Sequence, residues 1–187
     1  GADVAQPDSV IAAAHSCLAT QGLPDAVIAN AGISIGVDTA HRSDLDAMTE
    51  TFAVNNVGMA ATFHPFISAM VARGTGALVG IGSVAGIRGL PGHGAYCASK
   101  AAVISYCESL RGELQPSGIK VVTICPGYID TPLTRQNRYV MPFLMQPQDF
   151  ADRAFQAVEA GASYRVLPSQ MGVVAKLLRA SPHTVFH

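Results

Sequence analysis

The sequence has no tryptophan, few charged side chains and no long apolar run. Charged residues make up 13% of the chain and hydrophobic residues 49%, the mean hydropathy is +0.30, and the net charge is −1. Without a basic stripe, the chain has nothing to neutralise the phosphates of a nucleic acid or an anionic membrane. The apolar stretches are short and contain Gly, Pro or charge, so neither a signal peptide nor a membrane span is predicted. Either buried subunit interfaces or a core-rich piece of a larger protein explains the high apolar content.

Cysteine is scarce, and its spacing is not that of a metal site. The cysteines include no C-x-x-C pair, and no histidine stands at a metal-ligand spacing from them; they are Cys17, Cys97, Cys107 and Cys125. We interpret them as small buried apolar residues of a protein in the reducing cytoplasm. No metal site is predicted.

The chain is interpreted as a single domain, residues 1–187, because its length suits one core and it shows no internal repeat or low-complexity segment. Its hydrophobic pattern predicts an α/β fold in which buried parallel strands alternate with helices. Strands are predicted at 26–29, 76–82, 119–125 and 164–168, with the end of another at 1–4. Helices are predicted at 7–20, 45–72, 95–114, 148–161 and 171–179, and Phe155 is assigned to the inward face of the helix at 148–161.

A tyrosine and a lysine four residues apart mark the start of one predicted helix. At this spacing Tyr96 and Lys100 lie on the same helix face. The pKa of a tyrosine is ordinarily about 10, and a neighbouring cation favours the phenolate and lowers that pKa. The pair alone is also typical of an ordinary helix surface. Ser83, however, ends a predicted parallel strand, where ligands bind in open α/β sheets, so the hydroxyl and the phenol are predicted to share a substrate oxygen.

Residues 80–85 also match the dinucleotide fingerprint G-x-G-x-x-[GA]. That fingerprint requires a helix to begin within the glycines, so that the helix N-terminus holds the pyrophosphate. Here further glycines and Pro91 prolong the loop to about residue 95, and we reject this interpretation. His93 on the loop is either a neighbour of the substrate or a solvated loop residue.

These residues and several others resemble the short-chain dehydrogenase/reductase family from Asp3 to about Pro168. The matching motifs occur in the family's order and spacing: Asn30-Ala31-Gly32, Asn55 within Val54–Gly58, Ser83, Tyr96 with Lys100, and Pro126–Thr131. The resemblance implies a Rossmann-like doubly wound parallel sheet. It also implies an NAD(P)-dependent oxidoreductase that interconverts a secondary alcohol and a ketone or aldehyde, with hydride moving between the nicotinamide and the substrate carbon.

The resemblance further implies a role for each catalytic residue. Tyr96 is expected to be the general acid/base, and Lys100 to lower the pKa of Tyr96 and orient the coenzyme ribose. Ser83 is expected to hold the substrate oxygen. Asn55 is expected to lie at a distortion of the predicted helix 45–72 and to support the proton relay.

Coenzyme contacts are implied in the same way, with NAD or NADP as the coenzyme and no preference evident. Asp3 and Val4 correspond to contacts with the adenine, although Asp3 is alternatively a cap of the following helix. Thr131 corresponds to the contact with the nicotinamide carboxamide, and Ile129 lies near the same end. The full expected set is Asp3, Val4, Asn30, Ala31, Gly32, Tyr96, Lys100, Pro126, Gly127, Ile129 and Thr131.

The connection at 128–146 is rich in apolar side chains, namely Leu133, Tyr139, Val140, Met141, Phe143, Leu144 and Met145. In the resembling family this connection closes over the substrate, so we expect a hydrophobic or bulky small molecule. A subunit contact is the alternative. The resemblance also implies a homodimer or homotetramer, with the helices at 45–72 and 95–114 forming a four-helix interface.

Proteins of the resembling family begin with a βαβαβ unit and a glycine-rich turn that this sequence does not contain. We expect that unit, about 60 residues, to precede Gly1 in the complete protein, and we expect strand 26–29 to be a sheet edge without it. The alternative is a shortened, catalytically dead protein that acts as an oligomerisation or binding module. An epimerase or dehydratase on the same scaffold is less favoured, because such proteins usually carry a larger carboxyl-terminal substrate domain.

Overall fold

The computed structural model describes residues 1–136 and 140–180. Its core is a four-stranded parallel sheet in the order β1-β2-β3-β4, formed by Ala26–Ala29, Gly76–Ile81, Ile119–Pro126 and Tyr164–Leu167. A helix lies within every connection between strands, as parallel strands require. The four predicted strands are confirmed to within one residue at each end.

The described residues form six α-helices around the sheet: α1 (Pro7–Gln21), α2 (Ser43–Phe52), α3 (Gly58–Arg73), α4 (Gly94–Leu114), α5 (Pro147–Glu159) and α6 (Ser169–Ala180). The long helix predicted at 45–72 is α2 and α3, joined by a π-helical turn at Ala53–Val57. This turn contains Asn55, so the expected distortion is confirmed. None of the helices in the described ranges combines the length and hydrophobicity that a membrane span needs.

Each face of the sheet packs against its own helices. On one face, α1, α3 and α4 bury a cluster that includes Phe63, Leu78 and Val103. On the other face, α5 packs over Val79 and Val122. Successive residues of a strand point to opposite faces, so neighbours such as Leu78 and Val79 belong to different clusters. The sheet is therefore buried on both sides where α5 covers it, as expected for a parallel sheet.

Phe155 does not face the core, contrary to the prediction. Its side chain is 61% exposed, whereas Ala157 of the same helix is buried. Inward positions on α5 follow a spacing of three and four residues through Phe150, Ala154 and Ala157. Residue 155 is rotated by about 100° from residue 154 and lies outside this stripe.

The strand end predicted at residues 1–4 is not observed among the described residues. These residues pair with no strand, and the Val4 carbonyl packs against α3 so closely that a Cβ on Gly58 would lie 2.5 Å from its oxygen. Asp3 does not cap α1, because its carboxylate accepts a hydrogen bond from the Ala5 N–H at 3.0 Å and the N-cap residue is Gln6. A strand requires a neighbouring strand, and none of the described ones lies beside this segment.

Strand β1 is an edge of the sheet within the described residues, as expected. It pairs with β2 on one side only. Ile28, which points away from the cluster that contains Val27, is 53% exposed. An apolar side chain exposed on an unpaired strand is a surface that proteins usually cover.

Gly80 allows α4 to lie directly on β2. A Cβ at this position would overlap the Sγ of Cys107, which is fully buried in α4. The absence of a side chain therefore sets the distance between the helix and the sheet beneath the site.

We predict that Gly80→Ala lowers the free energy of unfolding of the complete protein by about 1–3 kcal/mol, because it overpacks the core. The matched control is Gly112→Ala in α4, the helix that packs on Gly80, because nothing lies within 4 Å of a Cβ added at Gly112. That substitution should raise the free energy of unfolding by about 1 kcal/mol through helix propensity. Denaturant unfolding measures both, and equal effects of the two substitutions would contradict the packing argument.

Candidate active site

Ser83 lies just beyond the end of β2 and is 7% exposed. It caps a 3₁₀ turn at Val84–Gly86, with its Oγ accepting a hydrogen bond from the Ala85 N–H at 3.1 Å. A serine hydroxyl that accepts this bond keeps its own hydrogen for another acceptor. The local turn therefore orients Ser83 as a donor at the carboxyl edge of the sheet.

Tyr96 and Lys100 lie on the first two turns of α4, one helical turn apart. Lys100 Nζ is 5.8 Å from the centroid of the Tyr96 ring. Lys100 is only 6% exposed, and its ammonium donates a hydrogen bond to the Ile81 carbonyl at 2.8 Å. The lysine therefore points back to the end of β2 rather than to solvent.

Burial makes the charged form of Lys100 less favourable than it is in water. Desolvation by burial lowers its pKa from 10.5 to about 8, and the nearby Cys125 thiol opposes that shift. A cation in such surroundings interacts more strongly with neighbouring groups than it would in water. Lys100 is thus a cation held next to a phenol in a largely dry environment.

Asn55 joins the π-helical turn to the loop after β1. Its Oδ1 accepts a hydrogen bond from the Ile33 N–H at 2.8 Å, and its Nδ2 donates to the Ile33 carbonyl at 3.0 Å and to the Ser99 Oγ at 2.9 Å. A Cβ on Gly32 would lie 3.3 Å from Asn55 Oδ1 and 3.4 Å from Lys100 Nζ. The exposed turn at 30–32 is therefore held immediately beside Lys100.

A cavity of about 220 Å³ brings together Ser83 and Tyr96, two of the four predicted catalytic residues, whereas Asn55 and Lys100 are not among its lining residues. Ser83, Tyr96, Pro126 and Gly127 all line it. The predicted substrate-side neighbour His93 also lines it and is half-buried, which favours that interpretation over the solvated loop residue. Helix α4 begins only at Gly94, after the 3₁₀ turn, so the rejected dinucleotide fingerprint at 80–85 indeed lacks its helix.

Several predicted coenzyme contacts lie outside this cavity. Ile129 is buried in the cluster under α5, so only its backbone is available to a ligand. Thr131 is half-buried and its N–H donates to the Thr134 Oγ1 at 3.0 Å. Val4 lies against the start of α3, and Asp3 hydrogen-bonds to Ala5 and Ser9. None of these four lines the cavity.

Some of the lining residues were not predicted from the sequence. Arg88, Tyr128, Thr134 and Met171 line the cavity but were not assigned to the site. Arg88 lies in a glycine-rich loop, and a lone cation there carries no sequence signal. Thr134 was detectable only as a second hydroxyl after Thr131.

The connection at 128–146 contributes to the cavity in part. Leu133 and Pro142 line it, whereas Met145 packs into the cluster under α5. Val140 and Phe143 are exposed, and Tyr139 lies outside the described residues. In the described ranges, no group of three or more His, Cys, Asp or Glu side chains could hold a metal ion.

A model of the family described as short chain dehydrogenase matches residues 1–140. An uncharacterized oxidoreductase from Myxococcus xanthus is 35% identical over 98% of this chain and 72% of that protein. Matches to several other curated relatives cover 24% to 59% of those proteins.

Two solved structures show the same fold. A short chain dehydrogenase from Burkholderia cenocepacia in complex with NADP has a TM-score of 0.83 at 26% identity, covering 98% of this chain and 74% of that one. A short chain dehydrogenase/reductase from Burkholderia phymatum in complex with NAD has a TM-score of 0.82 at 23% identity, covering 94% of this chain and 72% of that one. Because the Burkholderia phymatum protein is only 23% identical, its similarity to this chain shows a common fold and no more.

We predict that Lys100 in the coenzyme-free protein titrates with a midpoint near pH 8, protonated below and neutral above. The side-chain carbon shifts of labelled lysine, with Lys100→Met to assign the signal, measure this midpoint. A midpoint at the ordinary value of 10.5 would show that the ammonium is solvated.

The pH dependence of the free energy of unfolding provides a second measurement of the Lys100 pKa. Between pH 8 and 10.5 the unfolded chain binds the lysine proton and the folded chain does not, so the free energy of unfolding should rise with pH in this window. The Lys100→Met variant should lack that rise. A parallel pH dependence of the two proteins would contradict the assignment.

Proposed function

The chain belongs to the short-chain dehydrogenase family, and on that premise we propose that it is an NAD(P)-dependent oxidoreductase interconverting a secondary alcohol and a ketone or aldehyde. The observation that carries this proposal is the convergence of Ser83 and Tyr96 on one cavity, with the Lys100 ammonium 5.8 Å from the Tyr96 ring. A catalytically dead binding module is less favoured, because such a module has no need to bury a lysine beside a tyrosine.

The proposed chemistry of the chain's own residues is a proton transfer at a substrate oxygen. Ser83 donates a hydrogen bond to that oxygen, since its Oγ accepts from the Ala85 N–H and its O–H hydrogen remains available as a donor. Tyr96 gives or takes the proton. The Lys100 ammonium stabilises the phenolate form of Tyr96, since a nearby cation favours the charged state.

Asn55 is proposed as a positioning residue. Its side-chain amide is engaged by Ile33 and by Ser99, the residue before Lys100. The family resemblance implies that Asn55 supports the proton relay. We propose that Asn55 does so by holding the loop after β1 and helix α4 at a constant separation.

The residues around Lys100 fit a nicotinamide nucleotide. Gly32 presents bare backbone beside the Lys100 ammonium, and a side chain there would fill the space. We propose that Asn30, Ala31 and Gly32 with Lys100 hold the ribose, and that the other expected contacts, Asp3, Val4, Tyr96, Pro126, Gly127, Ile129 and Thr131, bind the rest. When bound, the nucleotide supplies the hydride donor or acceptor. We propose no preference between NAD and NADP.

The substrate is proposed to be a small molecule with an apolar body. Apolar side chains from three regions of the chain line the cavity, among them Leu90, Leu133 and Val174. Such walls favour a hydrocarbon part next to the reacting carbon.

Replacing Tyr96 with Phe in the complete protein should lower kcat by at least about 100-fold, because the general acid/base is lost. Affinity for the coenzyme, measured by nucleotide fluorescence, should be largely unchanged. The matched control is Tyr106→Phe, on the same helix but outside the cavity, which should leave kcat unchanged. Retained turnover in Tyr96→Phe would refute the assigned role.

We also propose that the protein is a homodimer or homotetramer in the cytoplasm. The proposal is supported by apolar side chains exposed on the helices expected to form the interface, among them Met48, Val57, Val71 and Tyr106. Three of the four free cysteines are buried, which suits a reducing compartment.

Val57→Asp is expected to shift the complete protein toward monomer, because it places a charge in the proposed interface. Val173→Asp on α6 serves as the control, since Val173 is comparably exposed. Light scattering coupled to size exclusion measures the mass of each. An unchanged mass in Val57→Asp, or an equal loss in both variants, would argue against this interface.

A further inference from the structure

The cavity is lined by a cationic side chain that has no role in the proposed reaction. Arg88 lies on the loop between β2 and α4, five positions after Ser83, and is half-buried. His93 lines the same cavity from the position before α4. None of the described residues that line the cavity is Asp or Glu, although the chain has 13 acidic residues against 12 Lys and Arg. The described lining therefore contains a guanidinium and no carboxylate, in a chain that is slightly acidic.

The environment strengthens the effect of this charge. Most of the lining is apolar, including Val84, Leu90 and Met171. Charges interact more strongly beside low-dielectric walls than in water. A guanidinium presents N–H donors in a planar fork that matches the two oxygens of a carboxylate.

We propose that the substrate is a small hydroxy acid or oxo acid whose carboxylate is bound by Arg88 while its hydroxyl or carbonyl oxygen lies at Ser83 and Tyr96. The inference rests on the proposed function, since it identifies the second end of the same substrate. The apolar wall then contacts the hydrocarbon between the two oxygen groups.

Arg88 already has an interaction within the protein. A guanidinium has five N–H donors, so it can serve that partner and a bound carboxylate together.

Two probes of the same shape test the proposal. Levulinate is a short methyl ketone that ends in a carboxylate, and methyl isoamyl ketone has an isopropyl group in place of that carboxylate. Binding of each to the complete protein is measured by ligand-observed NMR without reduced coenzyme, so that no reaction occurs. Reduction of each is then followed with NADH and with NADPH.

The wild-type protein should bind levulinate about 10-fold to 100-fold more tightly than the ketone. Arg88→Met should remove this preference, with affinity for the neutral ketone changed by less than about twofold. The matched control is Arg42→Met, because Arg42 is exposed, pairs with Asp46 and lies outside the cavity. This variant should keep the preference for levulinate.

Equal affinity of the wild-type protein for the two probes would overturn the inference. An equal loss of affinity for both probes in Arg88→Met would overturn it as well. The wild-type comparison needs no substitution, so it decides the matter even if Arg88→Met does not fold. Failure of the proposed function has a different signature. In that case levulinate binds and its binding depends on Arg88, yet neither probe is reduced with either coenzyme.

Discussion

The site is organised around a buried ammonium, a group that is costly to remove from water. Desolvation lowers the pKa of Lys100 from 10.5 to about 8, which corresponds to about 3 kcal/mol of unfavourable free energy relative to water. The hydrogen bond to the Ile81 carbonyl offsets part of this cost. A lysine in such a position does not stabilise the fold. Its burial is typical of a residue retained for chemistry.

Three elements hold this cation in place. Strand β2 ends at the Ile81 carbonyl and leads directly to Ser83. Helix α4 carries Tyr96 and Lys100 one turn apart. The π-helical turn carries Asn55, whose amide binds both the loop after β1 and α4. Because the strands are parallel, the loops that follow β1, β2 and β3 all meet at one edge of the sheet, and each contributes to the same small volume.

Much of the fold could be predicted because its signals are local. Each strand is a short apolar run bounded by turn residues, and each was located to within one residue. The prediction for Phe155 was wrong because a phenylalanine beside the apolar stripe of a helix resembles one within it. The strand end predicted at residues 1–4 is not observed, because a strand depends on a partner strand and none of the described strands lies beside this segment. Arg88 was missed because its position in the cavity depends on how the loop after β2 turns.

The sequence by itself determined the chemistry that is available here: a tyrosine and a lysine at helical spacing, a serine after a strand, and an asparagine inside a helix. Spacing along one helix or one turn follows from local backbone geometry, so the tyrosine, the lysine and the serine could be named from the chain alone. The asparagine was identified through the family resemblance. Only the tertiary structure decided which of them share a cavity, how deeply the lysine is desolvated, and that a cation rather than a carboxylate lies in the cavity wall. Those properties depend on contacts between segments far apart in the chain, because burial and electrostatic environment are set by packing and not by any single stretch of residues.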